Sequence, residues 1–476
     1  MSKKLIHLAK ARSTLDKVLQ ASIADETELV WFQRRHRSVA VGDEPPPGTT
    51  QNEGGRGDGD CGDRPRLTVL IRVVEGGRVG WHRTDSHQVD DLQSGLRQAL
   101  AVAKVQPQVK RSPLLPKPTR EMEVAGDGKD ADNGKDAGDT TEELPLFDSA
   151  VAKLSHEEAT EILQQRLGSD ESGRLHWSET RVTVRNSHGL YRASVTSEIS
   201  LMLRAGRGSR SAFAAGSARR LQDLQPERIL SRARDLRAPD LDAGPAPASP
   251  EERLPVVLAP EVVVELLNLL NAFAFSGRAF LDGSSFLSRH RDVQVFDRTV
   301  HVRDNALRVP GMPFPFDLEG SLKTPVDLIV KGQPSTPALD HVQGSHAGLR
   351  PTAQSVGGRD AMFGNLFLLA GAATSKDLLA AADGGLWIGW IDPPECDDPQ
   401  RLQIRTTARG VRRIEGGELG EPVGDLVWEI GLLAALGRLL GIGNESVVRA
   451  MPTTPLGGIS APALALAEVD GFRPRS

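Results

Sequence analysis

Zinc hydrolysis needs imidazole, thiolate or carboxylate donors at fixed spacing, with a carboxylate beside them to take a proton from the bound water. The 11 histidines and 2 cysteines of this chain offer little that fits. His341 and His346, in Asp340-His-Val-Gln-Gly-Ser-His346, are the closest pair that could share a ligand. No Glu or Cys stands at metal-site spacing from them, so a solvated or peptide-lining loop is the plainer reading. His156-Glu157 sits inside Ser155-x-x-Glu158, which reads as a capping box at a helix start. His290 and His301 read as surface residues on the two sides of a hairpin. Cys61 lies in a Gly/Asp-rich stretch far from Cys396, so no structural disulfide is expected and a reducing cytoplasm fits best.

Phosphate and acyl chemistry are no better served. There is no Gly-x-x-x-x-Gly-Lys-Ser/Thr loop and no Gly-x-Ser-x-Gly elbow. Gly206-Arg-Gly-Ser-Arg-Ser211 is Gly-rich and basic, and with Arg204, Arg219 and Arg220 it makes a modest positive patch. A solvated loop or a contact with an acidic partner accounts for it better than nucleotide binding.

The elements that would position these residues follow from periodicity. Residues 4–22 place Leu5, Leu8, Leu15, Val18 and Leu19 at helical spacing. Two β-like runs follow, Glu28–Val41 and Leu67–His82, joined by a Gly/Asp/Pro-rich insertion over 43–65 expected to be disordered. Val89–Val105 reads as a second helix, giving a helix–hairpin–helix α/β unit over 1–112. Residues 113–148 read as a flexible linker, too polar to offset their ordering entropy. A middle α/β domain, 149–237, has a helix at 149–167, a hairpin over 175–204 turning at Asn186-Ser-His-Gly189, and a helix at 219–236. After a second linker, 238–252, residues 253–476 form a β-rich domain opening on a buried helical stretch near 254–280. The fold class is α+β.

Composition narrows the classes further. Aromatics make up only 4% of the 476 residues, against 48 Gly and 31 Pro, which implies an aliphatic core with many turns. A net charge of -5 speaks against a broad nucleic-acid surface. The most apolar window is broken by Pro260, Glu261, Glu265, Asn268 and Asn271, so no membrane span is expected.

Several segments, in order, resemble the TldD/PmbA family. They are Val182–Leu190 with its Asn-Ser-x-Gly turn, Pro255-Val-Val-Leu-Ala-Pro-Glu261, and Phe316-Asp-Leu-Glu-Gly-Ser-Leu-Lys-Thr324 followed by Leu328-Ile-Val-Lys-Gly332. Ser345–Thr352, Asn365–Gly371, Gly384–Ile388 and Gly416–Val423 continue the likeness over roughly 150–470, and the first 110 residues are compatible with the family's N-terminal domain. The resemblance implies a role in peptide-processing metalloproteolysis. Catalytic members carry His-Glu-x-x-x-His in the helix after the Pro-Val-Val-Leu segment and a Cys ligand near the C-terminus. In register with that motif this chain has Asn268, Leu269 and Phe273, and its C-terminal segment Thr453-Thr-Pro-Leu-Gly-Gly-Ile459 has no Cys. No catalytic, metal or cofactor residue is therefore assigned here; Asn268, Leu269 and Phe273 are degenerate motif positions.

That pattern resembles the TldE/PmbA-like non-catalytic subunit. It implies a heterodimer or larger assembly with a TldD-like subunit that supplies zinc, acting on unfolded or modified peptides. Two alternatives stay open: a stand-alone metallopeptidase with atypical ligands, and a protein-binding modulator of the gyrase or toxin–antitoxin kind.

Overall fold

Long alternating strands separated by glycine turns favour broad antiparallel pairing, and the first half of the chain builds it. The computed structural model describes residues 5–42, 65–109, 114–118, 144–240, 244, 246–247, 249–358, 360–451, 453–454 and 456–475. In chain order come α1 (Leu8–Gln20), β1 (Glu26–Val41), β2 (Arg66–Glu75), β3 (Arg78–Thr84) and α2 (Val89–Val105). Then follow α3 (Ser149–Lys153), α4 (His156–Gln164), β4 (Glu171–Asn186), β5 (Tyr191–Ala205), β6 (Ala212–Ala218) and α5 (Pro226–Asp235). The expected insertion over 43–65 and most of the 113–148 linker lie outside the described residues.

β1 to β6 make one antiparallel sheet in the order β3-β2-β1-β4-β5-β6. The central joint is the pairing of β1 with β4, from Glu28↔Asn186 to Val41↔Gly173. The N-terminal unit and the middle domain thus share a sheet, although 113–148 separates them in sequence. α1 and α2 cover one face of its first half through Leu15, Val18, Leu92, Leu96 and Trp31. α3, α4 and α5 cover the same face of the second half, around Leu163, Trp177, Ile199 and Leu230.

Three local expectations change. The run Leu67–His82 is two strands, because Gly76 and Gly77 have φ of +56° and +72° and form a two-residue hairpin turn. The helix expected over 149–167 is two, because Ser155 and Glu158 close a capping box that starts α4 afresh. The segment 219–236 opens with a short 3-10 turn, Leu221–Asp223, before Pro226 at the first position of α5 starts the α-helix.

The second half begins with β7 (Leu254–Leu258) and α6 (Pro260–Phe273), so the apolar stretch near 254–280 is a strand feeding a helix. α7 (Gly277–Leu281), α8 (Leu287–His290), β8 (Val302–Asp304), β9 (Val326–Val330), β10 (Gln333–Pro334), α9 (His341–Ala347) and β11 (Asn365–Leu368) come next. The chain continues through α10 (Ser375–Ala381), β12 (Leu386–Ile388), β13 (Trp390–Ile391), β14 (Glu395–Asp398), β15 (Gln403–Arg409), β16 (Arg412–Glu415) and β17 (Glu418–Pro422). It ends with β18 (Leu426–Gly431), α11 (Leu432–Ala435), β19 (Leu439–Arg449), β20 (Gly458–Val469) and β21 (Phe472–Pro474).

A 10-stranded mixed sheet runs β10-β9-β8-β11-β20-β7-β12-β16-β17, with β19 added on β20. A smaller sheet runs β13-β15-β18-β21, with β14 on β15. α6 packs against β20, and one large apolar cluster joins the helix to both sheets. The N-terminal sheet's uncovered face meets this domain through two apolar clusters. Val30, Val182 and Val184 pack on Phe314, Phe316, Leu318 and Leu456, while Met202, Phe213 and Ala215 pack on Trp390. The architecture is α+β, in helix, sheet and β-rich-domain layers. No helix among the described residues is long and apolar enough to cross a membrane.

Candidate functional site

α6 decides where the degenerate motif goes. Pro260 suits the helix's first turn, where its missing N–H costs nothing. Beyond it the helix is buried nearly all round, from Glu261 to Leu267 and from Leu269 to Asn271. Its two carboxylates serve structure. Glu261 accepts from Arg232 and from the Ala215 N–H (3.1 Å), and Glu265 pairs with Arg449 at 3.0 Å. Neither stands free as a general base.

Asn268 and Asn271, one turn apart, share a face. The Thr453 hydroxyl donates to Asn268 Oδ1, and Asn271 Nδ2 lies 3.4 Å from the same hydroxyl. Asn271 is fully buried, and its carboxamide grips the backbone of Phe363 from both sides. Nδ2 donates to the Phe363 carbonyl (2.9 Å) and Oδ1 accepts from its N–H (3.0 Å). Leu269 points into the core at 4% exposure, whereas Phe273, at the helix end, is 42% exposed. The structure therefore brings Asn268 to the 453–459 segment but sends Leu269 and Phe273 elsewhere.

This donor set does not fit zinc. Neutral carboxamides and a hydroxyl, already engaged with one another and with backbone, replace imidazole, thiolate and base. Among the described residues no three His, Cys, Asp or Glu side chains come together as a metal site.

Near the carboxamides lies a shallow cleft with only about 20 Å³ of space for water, roughly one molecule's worth. Met312, Phe314, Phe316, Met362, Leu456 and Lys323 line it, with the Lys323 ammonium donating to Gln354 at 2.8 Å. Arg219 braces its rear wall. Its buried guanidinium donates to the carbonyls of Ser197, Met312, Pro313 and Leu456, and burial lowers its pKa to about 10.

The expected basic patch disperses on this account. Arg219 is buried, Arg220 pairs with Asp223, Arg210 pairs with Asp240, and Arg204 donates to Ser211. The histidines redistribute too. His341 and His346 lie on α9 rather than in a loop, and His341 pairs with Glu319 at 2.7 Å. His290 ends α8 and His301 precedes β8, so they do not flank a hairpin.

Sequence reasoning missed a buried ionic group at the junction of the two halves. Arg72 on β2 is fully buried, with one amino group on Glu28 (2.8 Å) and the other on Glu319, which also accepts from His341. Burial pushes Glu28 up to about 8 despite Arg72. Burial works the same way on Glu319, but Arg72 and His341 outweigh it and hold the acid at about 2. A signal was present: an arginine between Ile71 and Val73 in an apolar strand is costly unless it is paired.

These features define a class: a three-layer α+β chain whose β-rich half is built around a buried helix carrying hydrogen-bonded carboxamides. The model of the PmbA/TldA metallopeptidase C-terminal domain matches residues 251–470. Residues 251–470 therefore carry a C-terminal domain of the PmbA/TldD metallopeptidase family. Its fold is similar to that of TldE from Thermococcus kodakarensis (TM-score 0.72, 17% identity, covering 97% of this chain and 100% of that one). It is also similar to a candidate modulator of a DNA gyrase from Thermotoga maritima (0.72, 19%, 98% and 100%). A candidate modulator of DNA gyrase from Bacteroides thetaiotaomicron gives 0.71, 17%, 98% and 99%. At these identities the structural likenesses speak for fold. No curated protein sequence matches the chain.

Proposed function

We propose that this chain is the non-catalytic, TldE/PmbA-like subunit of a TldD/TldE-type metalloprotease complex. A cytoplasmic TldD-like partner supplies zinc and base, and the complex processes unfolded or modified peptides. The observation that carries this reading is the Asn268–Thr453–Asn271 group. It occupies the helix face and C-terminal segment where the family resemblance places the metal, and it satisfies itself without a cation.

Co-expression with a TldD-like protein carrying His-Glu-x-x-x-His tests this. The two are expected to co-elute, with peptide cleavage requiring both and zinc tracking the partner. Separate elution, with the partner cleaving peptides unaided, overturns the proposal. Stoichiometric zinc and peptidase activity in this chain alone would instead establish an independent enzyme.

A further inference from the structure

Six charged or titratable side chains from four segments meet where the N-terminal sheet docks on the β-rich domain. β1 gives Glu28, β2 gives Arg72, the turn after Phe316 gives Asp317 and Glu319, and the start of α9 gives Asp340 and His341. Five of the six are 2% exposed or less. The Trp81 ring, on β3, lies 5.0 Å from the Arg72 guanidinium and closes that side. Nearby charges are committed elsewhere. Glu26, two residues before Glu28, is taken by His188 and the N–H groups of Leu114 and Leu115, while Lys323 turns to Gln354.

Four carboxylic acids thus share the field of one guanidinium and one imidazole: Glu28 and Glu319 in direct contact, Asp317 and Asp340 at longer range while accepting from backbone N–H groups. Fully ionised, they leave surplus negative charge in the interior even when His341 is protonated. A buried surplus of this kind is relieved by holding protons.

We propose that this cluster is a proton-loaded latch: near neutral pH it keeps protons among Glu28, Asp317 and Asp340, and their loss at higher pH loosens the sheet from the β-rich domain at the cleft. Asp317 and the neighbouring Leu318 and Ser355 line that cleft, so loosening the latch changes access to it. The inference is independent of the proposed function, because it needs neither a partner nor a substrate.

The direction of the pH effect follows from the acids. Burial raises Glu28 to about 8 and Asp340 to about 7, with Glu319 adding to both, and it raises Asp317 to about 6. His341 is raised as well: burial lowers it, but the Glu319 carboxylate more than compensates. An acid or base raised on folding stabilises the folded state fully below its unfolded pKa and loses that contribution as pH climbs through its folded value. The latch is therefore tightest at acid pH and weakens from roughly pH 4, the acids' unfolded value, to about 8, the highest folded value among them.

The test compares full-length wild type with Glu28→Gln and Asp340→Asn by hydrogen exchange and infrared spectroscopy. In wild type, protection of the 316–322 amides, corrected for intrinsic exchange, is expected to fall about tenfold or more between pH 6 and 9. In each variant, which fixes one neutral partner, the fall is expected to shrink. A protonated-carboxyl band is expected in wild type at pH 7 and should weaken in Glu28→Gln. Parallel profiles in all three proteins overturn the latch. Should the variants fail to fold, the absence of that band from wild type at pH 7 overturns it alone.

Discussion

Replacing Asn271 by leucine tests whether the carboxamides are a structural clamp. The two side chains are close in size, so the change removes hydrogen-bonding groups with little change in volume. Asn271 satisfies both the N–H and the carbonyl of Phe363, a residue with no exposure of its side chain. Each stranded backbone group costs about 1–3 kcal/mol, or about 2–6 together. The leucine's own apolar burial returns about 1–2 kcal/mol, so the mid-range values, about 4 less about 1.5, leave a net loss of about 2–3. For a domain of this size that lowers the melting temperature by about 5–10 °C. Asn268→Leu is the control. It breaks one bond with the Thr453 hydroxyl at a half-buried position and costs about 0.5–1.5 kcal/mol. Calorimetry suits the measurement, since the chain has more than one cooperative unit and the affected transition must be read separately. The clamp is refuted if Asn271→Leu melts within 2 °C of wild type, or if Asn268→Leu costs more.

Two further outcomes follow from packing and charge. Gly80→Ala should destabilise by about 1–3 kcal/mol or more, because its Cβ would lie 1.9 Å from the Ala99 carbonyl and 2.6 Å from the Ala103 nitrogen, both backbone of α2. Gly95→Ala, whose Cβ meets only the His82 and Ile71 side chains, should cost less in the same thermal melt. His176, paired across strands with His36 at 3.3 Å, is lowered to about 3 by burial and then by His36 and Arg174. A lowered base destabilises the fold as pH falls from its unfolded value, about 6.5, toward 3. His176→Gln should flatten the melting temperature across that acid window, and an unchanged acid limb sinks the assignment.

What the sequence shows plainly is local. The 3.6-residue spacing of Leu92, Leu96, Leu100 and Ala103 marks α2 to the residue, and Asn186-Ser-His-Gly189 marks the turn between β4 and β5. Boundaries failed where a short signal sat inside a longer pattern: Gly76-Gly77 within the strand run, Ser155-x-x-Glu158 within the helix run. The single sheet was illegible for a different reason. β1 meets β4 across more than a hundred residues, and period-two alternation says which residues share a face but not which strand lies alongside. The Arg72 cluster is hidden in the same way, since its members come from four segments and none carries a motif of its own. Asn268 and Thr453 were set against each other by family resemblance alone; nothing in their own chemistry announced the contact.

The physical difference between this helix and one that binds zinc lies in what its polar positions require. Imidazoles and a glutamate on an apolar helix are desolvated groups that need a cation or a proton to be stable there. Carboxamides in that setting need only peptide groups, and Asn271 finds its two shortest hydrogen bonds on one residue of the adjoining segment, Phe363. The helix itself is not expendable, because Val262, Val263, Leu266, Leu267 and Leu270 fill the core between the sheets. A chain can therefore lose metal chemistry here by local exchange of side chains, while loss of the helix would empty the domain. Asn268, Asn271 and Thr453 meet their hydrogen-bonding needs from one another and from the Phe363 backbone, within a scaffold the helix keeps filled.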